Sequence, residues 1–136
     1  MLLYEDAIIQ VHYEPASDVL TTSLQSARAY DAGEIRKAFQ SVITNINAYH
    51  VTRLLLDLSL SQSGLPEHAY KQNMTLLVEG LKHTQLRKIA RVGTQDSVRE
   101  ANILHIFENI NAGIGLQAEF QNFSAQADAL QWLTEA

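Results

Sequence analysis

No cysteine occurs in the chain. That excludes a disulfide framework, a thiolate zinc site, an iron–sulfur cluster and a cysteine nucleophile, and it suits a reducing compartment. Cationic side chains are also scarce. Ten Lys and Arg stand against fifteen Asp and Glu, a formal net charge of −5. A general nucleic-acid binder displaces counterions with a broad basic surface, so no nucleic-acid partner is expected. Long apolar runs are missing too. Leu54-Leu55-Leu56 is broken by Asp57, and the apolar start Met1-Leu2-Leu3-Tyr4 meets Glu5 and Asp6 with no basic segment before it. Neither a spanning helix nor an export signal is read, so a cytoplasmic protein without membrane insertion is expected. Two prolines and six glycines leave no linker to divide 136 residues. One domain is expected.

Leu, Ile, Val and Phe are plentiful, 39 of 136 residues, and their spacing predicts the elements. Residues 7–13 alternate Ile9, Val11 and Tyr13 with Ile8, Gln10 and His12, as a strand does. Glu14-Pro15-Ala16-Ser17-Asp18 supplies a turn, and the β-branched run 19–24 returns as the second strand of an antiparallel hairpin. Asp31 and Glu34 have capping-box spacing. Behind them Ile35, Phe39, Val42, Ile43, Ile46 and Tyr49 form the apolar stripe of a helix. Residues 53–58 are apolar without alternation, the pattern of a central strand covered on both faces. Pro66 opens a second helix with the stripe Tyr70, Met74, Leu77, Val78 and Leu81. Residues 88–92 form a strand. Ser97 to Glu100 is read as a second capping box, followed by Ile103, Ile106, Phe107 and Ile110, with Gly113 just past the helix end. Residues 119–123 make the last strand, and Ser124 caps a terminal helix carrying Ala127, Leu130 and Leu133. The order β-β-α-β-α-β-α-β-α predicts an α/β fold. It is a mixed sheet of about five strands with four helices, the parallel strands joined by right-handed crossovers.

In open α/β sheets, ligands meet the carboxyl ends of parallel strands. Segments 57–64, 93–97 and 122–124 fall there. They bring Asp57, Ser59, Ser61, Ser63, Gly64, Gly93 and Thr94 as candidate contacts to a ligand or partner, with Asp96 and Ser124 beside them. Hydroxyls and a carboxylate near helix N-termini suit a polar or anionic ligand. The same residue types also cap helices and close turns. His12, His50, His68, His83 and His105 lack metal-ligand spacing. No G-x-S-x-G elbow, dinucleotide-binding glycine motif or P-loop is present. No catalytic residue, metal or cofactor is therefore read. Half of the ten basic residues, Lys82, Arg87, Lys88, Arg91 and Arg99, fall within 18 positions, a candidate patch for an acidic partner. Lys82 equally suits a helix C-terminus. Trp132, the single tryptophan, is read as docking the terminal helix, whose exposed apolar residues are a candidate homodimer contact.

Together these segments resemble the STAS fold of bacterial anti-sigma-factor antagonists of the SpoIIAA type, and more closely the small bacterial SpoIIAA-like proteins. The resemblance spans nearly the whole chain. It rests on the opening hairpin 7–24, the central strand ending in Asp57, and the closing pair Glu119-Phe120-Gln121-Asn122-Phe123 and 127–133. It implies one STAS-like domain over residues 1–136. A sharper likeness is Leu56-Asp57-Leu58-Ser59 followed by Ser63-Gly64-Leu65. Phosphoswitch antagonists carry a similar Asp-Leu-Ser, a spacer, then Asp-Ser-Ser-Gly-Leu, with the first Ser of the pair phosphorylated. Here Ser61 holds the acidic position, Gln62 the acceptor position, and the spacer is shorter. A glutamine accepts no phosphoryl group, so Ser61 or Ser63 takes that role only with a shift of register. The SpoIIAA-like group is also similar in fold to lipid-binding CRAL-TRIO domains, which implies an apolar ligand.

The leading expectation is a non-enzymatic STAS-like binding or regulatory module for a partner protein or a small apolar ligand. Two alternatives differ in class. One is a phosphorylation-controlled regulator of the antagonist type with Ser61 or Ser63 as acceptor. The other is a small enzyme with Asp57, Ser59 and Thr94 at the strand ends.

Overall fold

The computed structural model describes residues 1–62 and 65–135. Its elements run β1 (Leu2–Glu5), β2 (Ile9–Glu14), β3 (Val19–Leu24), β4 (Arg28–Ala29), α1 (Ala32–Tyr49), β5 (Arg53–Asp57), β6 (Ser61–Gln62), α2 (Glu67–Lys82), β7 (Lys88–Val92), α3 (Ser97–Ile114), β8 (Glu119–Phe123) and α4 (Gln126–Thr134). Six strands form one mixed sheet in the order β1-β2-β3-β5-β7-β8. The first two pairings are antiparallel and the other three parallel. Alternation of strand and helix after the hairpin forces that parallel half, as the sequence predicts.

The sheet is one strand wider than expected. Residues 2–5 are too few to show a period, yet β2 has a free edge that they fill. Asp6 fixes the turn between them by accepting the backbone N–H groups of Ile8 and Ile9, both at 2.8 Å. The Met1 ammonium group donates to the Tyr13 carbonyl at 3.0 Å and pins the start of the edge strand. A second, two-stranded ribbon pairs β4 with β6 in parallel.

Helices α1, α2 and α3 cover one face, and α4 covers β5, β7 and β8 on the other. The central strand shows why its sequence lacks alternation. Leu54 and Leu56 point into the α1 side, Leu55 into the α4 side, and all three are buried. Ala129 and Leu133 of α4 seal the second layer with Val19, Ala90 and Val92. Trp132 packs there against Phe123 at 5.7 Å between ring centroids, docking α4 as expected.

The first capping box forms as the sequence predicts, with Asp31 accepting from Glu34 N–H at 2.8 Å and Glu34 accepting from Asp31 N–H at 3.1 Å. Four other helix ends differ. Asp96, not Ser97, caps α3, accepting the Arg99 N–H at 3.0 Å, and Glu100 turns inward instead of back. The α3 helix runs past Gly113 and ends at Gly115, whose φ of 77° is the left-handed conformation that glycine adopts most easily. Ala125 occupies the cap position of α4 without a side-chain hydrogen bond, so Ser124 is not the cap. Pro66 takes the cap position of α2, one residue earlier than a first-turn proline.

One buried group in the α1-side layer is poorly served. Thr22 on β3 is 2% exposed, and its Oγ1 has no hydrogen-bond partner among the described residues. A buried hydroxyl without a partner costs on the order of 1 kcal/mol or more. Thr22→Val keeps the branched shape and is expected to raise the unfolding free energy by about 1 kcal/mol. Urea titration of both proteins checks this; a loss of stability would show that Thr22 is satisfied in solution.

Candidate functional site

The carboxyl ends of β5, β7 and β8 lie side by side. Their ladder runs on past the strand ends, with Leu58 N–H donating to Val92 O at 2.9 Å and Gly93 N–H to Phe123 O at 3.0 Å. The loops expected to carry the site therefore do converge. They divide by what they touch.

Asp57 and Ser59 make a closed turn. Both the backbone N–H and the hydroxyl of Ser59 donate to Asp57 Oδ1, at 3.1 and 2.6 Å. Such a turn occupies the carboxylate with its own loop. Thr94 faces elsewhere, donating to Glu100 Oε2 at 3.0 Å. Asp57 and Ser59 are therefore bonded to each other, while Thr94 shares no hydrogen bond with either of them among the described residues. Gly93 serves space. A Cβ there would run into the Glu100 carboxyl and stand 2.8 Å from an Arg91 Nη. Ser61 is held by Arg99, which donates to its carbonyl at 2.8 Å and to its hydroxyl at 3.1 Å. Ser63 and Gly64 lie outside the described residues. Leu60 is exposed.

Behind these loops lies a cavity of about 210 Å³, bounded by the sheet on one side and by α1, α2 and α3 on the other. Phe39, Met74, Leu77, Ile103 and Phe107 supply its apolar wall; Ser61, Tyr70, Asn73, Arg91 and Arg99 are polar residues lining it. The helix stripes that read as core thus face a void. Among the described residues, Ser61 is the expected site residue that lines it.

Arg91 is the residue that sequence reasoning missed. It counted there as one of a basic stretch, but the five cations do not make one surface. Lys82 Nζ donates to Ile114 O at 2.8 Å, and Lys88 Nζ donates to Trp132 O at 3.0 Å on the α4 side. Arg91 lies in the α1-side layer, 6% exposed, ion-paired through Nη1 with Glu100 and 3.4 Å from Asn122 Oδ1. Strand parity explains its direction. On β7 it shares a face with Ile89, while Ala90 and Val92 point to α4. A charged residue in a strand covered on both faces must meet a partner, and that signal was present in the sequence.

Electrostatics at this end follow from burial and the pair. Burial pushes the Glu100 carboxyl up, but its hydrogen bond to Arg91 and the adjacent charge outweigh this and hold it below its ordinary value. Burial pushes the Tyr70 phenol up, so it remains a neutral donor. At the neighbouring edge, Arg28 holds Glu34 down to about 2 and lies 4.0 Å over the ring of Tyr30, another cavity residue.

Architecture and cavity together define a three-layer α/β domain with a helix-covered pocket on one face of a mixed sheet. The chain has the SpoIIAA-like fold. It is similar over 96% of its length, and over 98% of the other chain, to the crystal structure of an uncharacterized protein of the DUF3478 family with a SpoIIAA-like fold from Shewanella loihica PV-4, with 22% identity and a TM-score of 0.55. No protein-family model matches the chain, and no curated protein does. Among the described residues, no helix is long and apolar enough to cross a membrane.

Proposed function

We propose that the protein is a binding module for a small, largely apolar ligand held between the sheet and α1–α3. The cavity carries this reading. Protein interiors pack as densely as organic crystals. Here a space of about 210 Å³ with largely apolar walls remains between the sheet and the helices. A ligand seated in it removes that apolar surface from water, at ~25 cal/mol per Å². Of the two occupants that the sequence leaves open, partner protein and small apolar ligand, the cavity supports the second, because its apolar wall faces inward. The SpoIIAA-like fold is compatible with a regulatory use of such binding.

The test uses toluene as probe. Titrated to millimolar concentration, it is expected to give saturable amide shifts in NMR spectra, confined to residues around Phe39, Met74, Leu77, Ile103 and Phe107. An apolar cavity of about 150 Å³ accepts a benzene-sized molecule, so no shift at these sites would overturn the reading.

A further inference from the structure

Resting on that reading, we propose that the ligand is a small carboxylic acid with an apolar body, a carboxylate that pairs with Arg99, and one hydrogen-bond donor that meets Asn73. Three observations support it. The first is charge. Arg91, Arg99 and Glu67 line the cavity. Arg91 is matched by Glu100, and Glu67 lies 3.5 Å from Lys71. Arg99 is bonded only to the two neutral oxygens of Ser61 among the described residues. Arg99 is thus the lining cation whose guanidinium meets no carboxylate among the described residues. A guanidinium has five N–H donors in a planar fork suited to a carboxylate. A carboxylate matches the single charge of one guanidinium, whereas a phosphate dianion leaves one negative charge over.

The second observation is an orphaned acceptor. Asn73 is 2% exposed and lines the cavity. Its Nδ2 donates to the Ala32 carbonyl at 3.0 Å, which fixes the orientation of the amide. Its Oδ1 has no partner among the described residues. A ligand that brings an O–H or N–H relieves that cost.

The third is size and access. Six carbons fill about 150 Å³, so about eight heavy atoms suit 210 Å³. Gln62, Glu67 and Asn102 are lining residues that are also exposed. Among the described residues, the exposed part of the lining thus lies on β6 and near the starts of α2 and α3, the end at which Arg99 stands. A carboxylate fits at that end with the apolar body inside.

Four probes separate the parts of the proposal: 4-hydroxyphenylacetate, phenylacetate, 4-ethylphenol and toluene. Their affinities are measured by NMR titration on the natural protein, on Arg99→Gln and on Asn73→Leu, each checked for native circular dichroism. On the natural protein, 4-hydroxyphenylacetate is expected to bind about tenfold or more tighter than 4-ethylphenol, as a charge-assisted pair allows. Arg99→Gln is expected to abolish that preference. Asn73→Leu is expected to abolish the smaller preference for 4-hydroxyphenylacetate over phenylacetate. If the neutral probes bind as tightly as the acids, or Arg99→Gln leaves the preference intact, the carboxylate assignment falls while the apolar-cavity reading stands. If phenylacetate binds as well as 4-hydroxyphenylacetate to the natural protein, the role of Asn73 falls. If none of the four binds, both this proposal and the cavity reading fall.

Discussion

Glu100→Leu is expected to destabilise the protein by about 3 kcal/mol, lowering the melting temperature by roughly 10 °C for a domain of this size. The reason is what it leaves behind. Arg91 stays 6% exposed within the α1-side layer with its anion gone. Breaking one partner out of a buried pair costs about 3–5 kcal/mol, because the remaining charge is uncompensated. Glu100 is itself 21% exposed, which places the loss at the lower end. Arg91→Met combined with Glu100→Leu removes both charges, and this double variant is expected to recover most of the loss. Thermal unfolding followed by circular dichroism measures all three. A single variant as stable as the natural protein would show that Arg91 finds water in solution. Acid gives an independent handle. The folded Glu100 carboxyl lies below its ordinary value of 4.5. Its ionised form therefore contributes stability that is fully present above that value and is lost as pH falls through the lower, folded one. The gap between the natural protein and Glu100→Leu is expected to narrow below about pH 4.

Much of this architecture is legible in the residue order, and the exceptions have physical causes. Runs 19–24 and 119–123 declare themselves because β-branched or aromatic residues are bounded by turn chemistry, and the strands have those bounds. The run Leu54-Leu55-Leu56 shows a strand between two layers because both of its faces are apolar. Strand β1 escapes notice since four residues carry no period, and its existence depends on the free edge of β2. Helix ends shift by one or two residues because Asp96 and Ser97 are both good caps, and only the fold decides which one accepts the Arg99 N–H.

The candidate site was legible only in location. Ends of parallel strands do converge, but Asp57, Ser59 and Thr94 are spent on local bonds that their identities equally permit. The void itself has no signature of its own. Leu77, Ile103 and Phe107 recur at helical spacing whether the space before them is filled by protein or left for a guest. A cavity depends on how far three helices stand from a sheet, and no single segment records that distance. What the sequence did carry was Arg91, a cation between the apolar Ala90 and Val92 of a covered strand, with Glu100 in the first turn of the following helix.

Leu77→Trp and Leu54→Trp make the sharpest contrast, because the same enlargement is expected to act with opposite sign at the two sites. Leu54 is fully buried in the packed central strand and does not line the cavity. Overpacking there forces neighbours off their rotamers and costs about 1–3 kcal/mol. Leu77 is also buried, but it faces the cavity from α2. An indole there has room to enter and buries further apolar surface, so the expected effect is a gain of up to about 1 kcal/mol. Leu77→Trp should therefore melt at or above the temperature of the natural protein, and Leu54→Trp several degrees below it. Binding should separate the two variants the other way. Toluene shifts are expected to vanish in Leu77→Trp, where the indole has taken the site, and to persist in Leu54→Trp while it remains folded. Equal destabilisation by both substitutions would mean that the space between sheet and helices is closed in solution, and the binding function inferred from it would go with it.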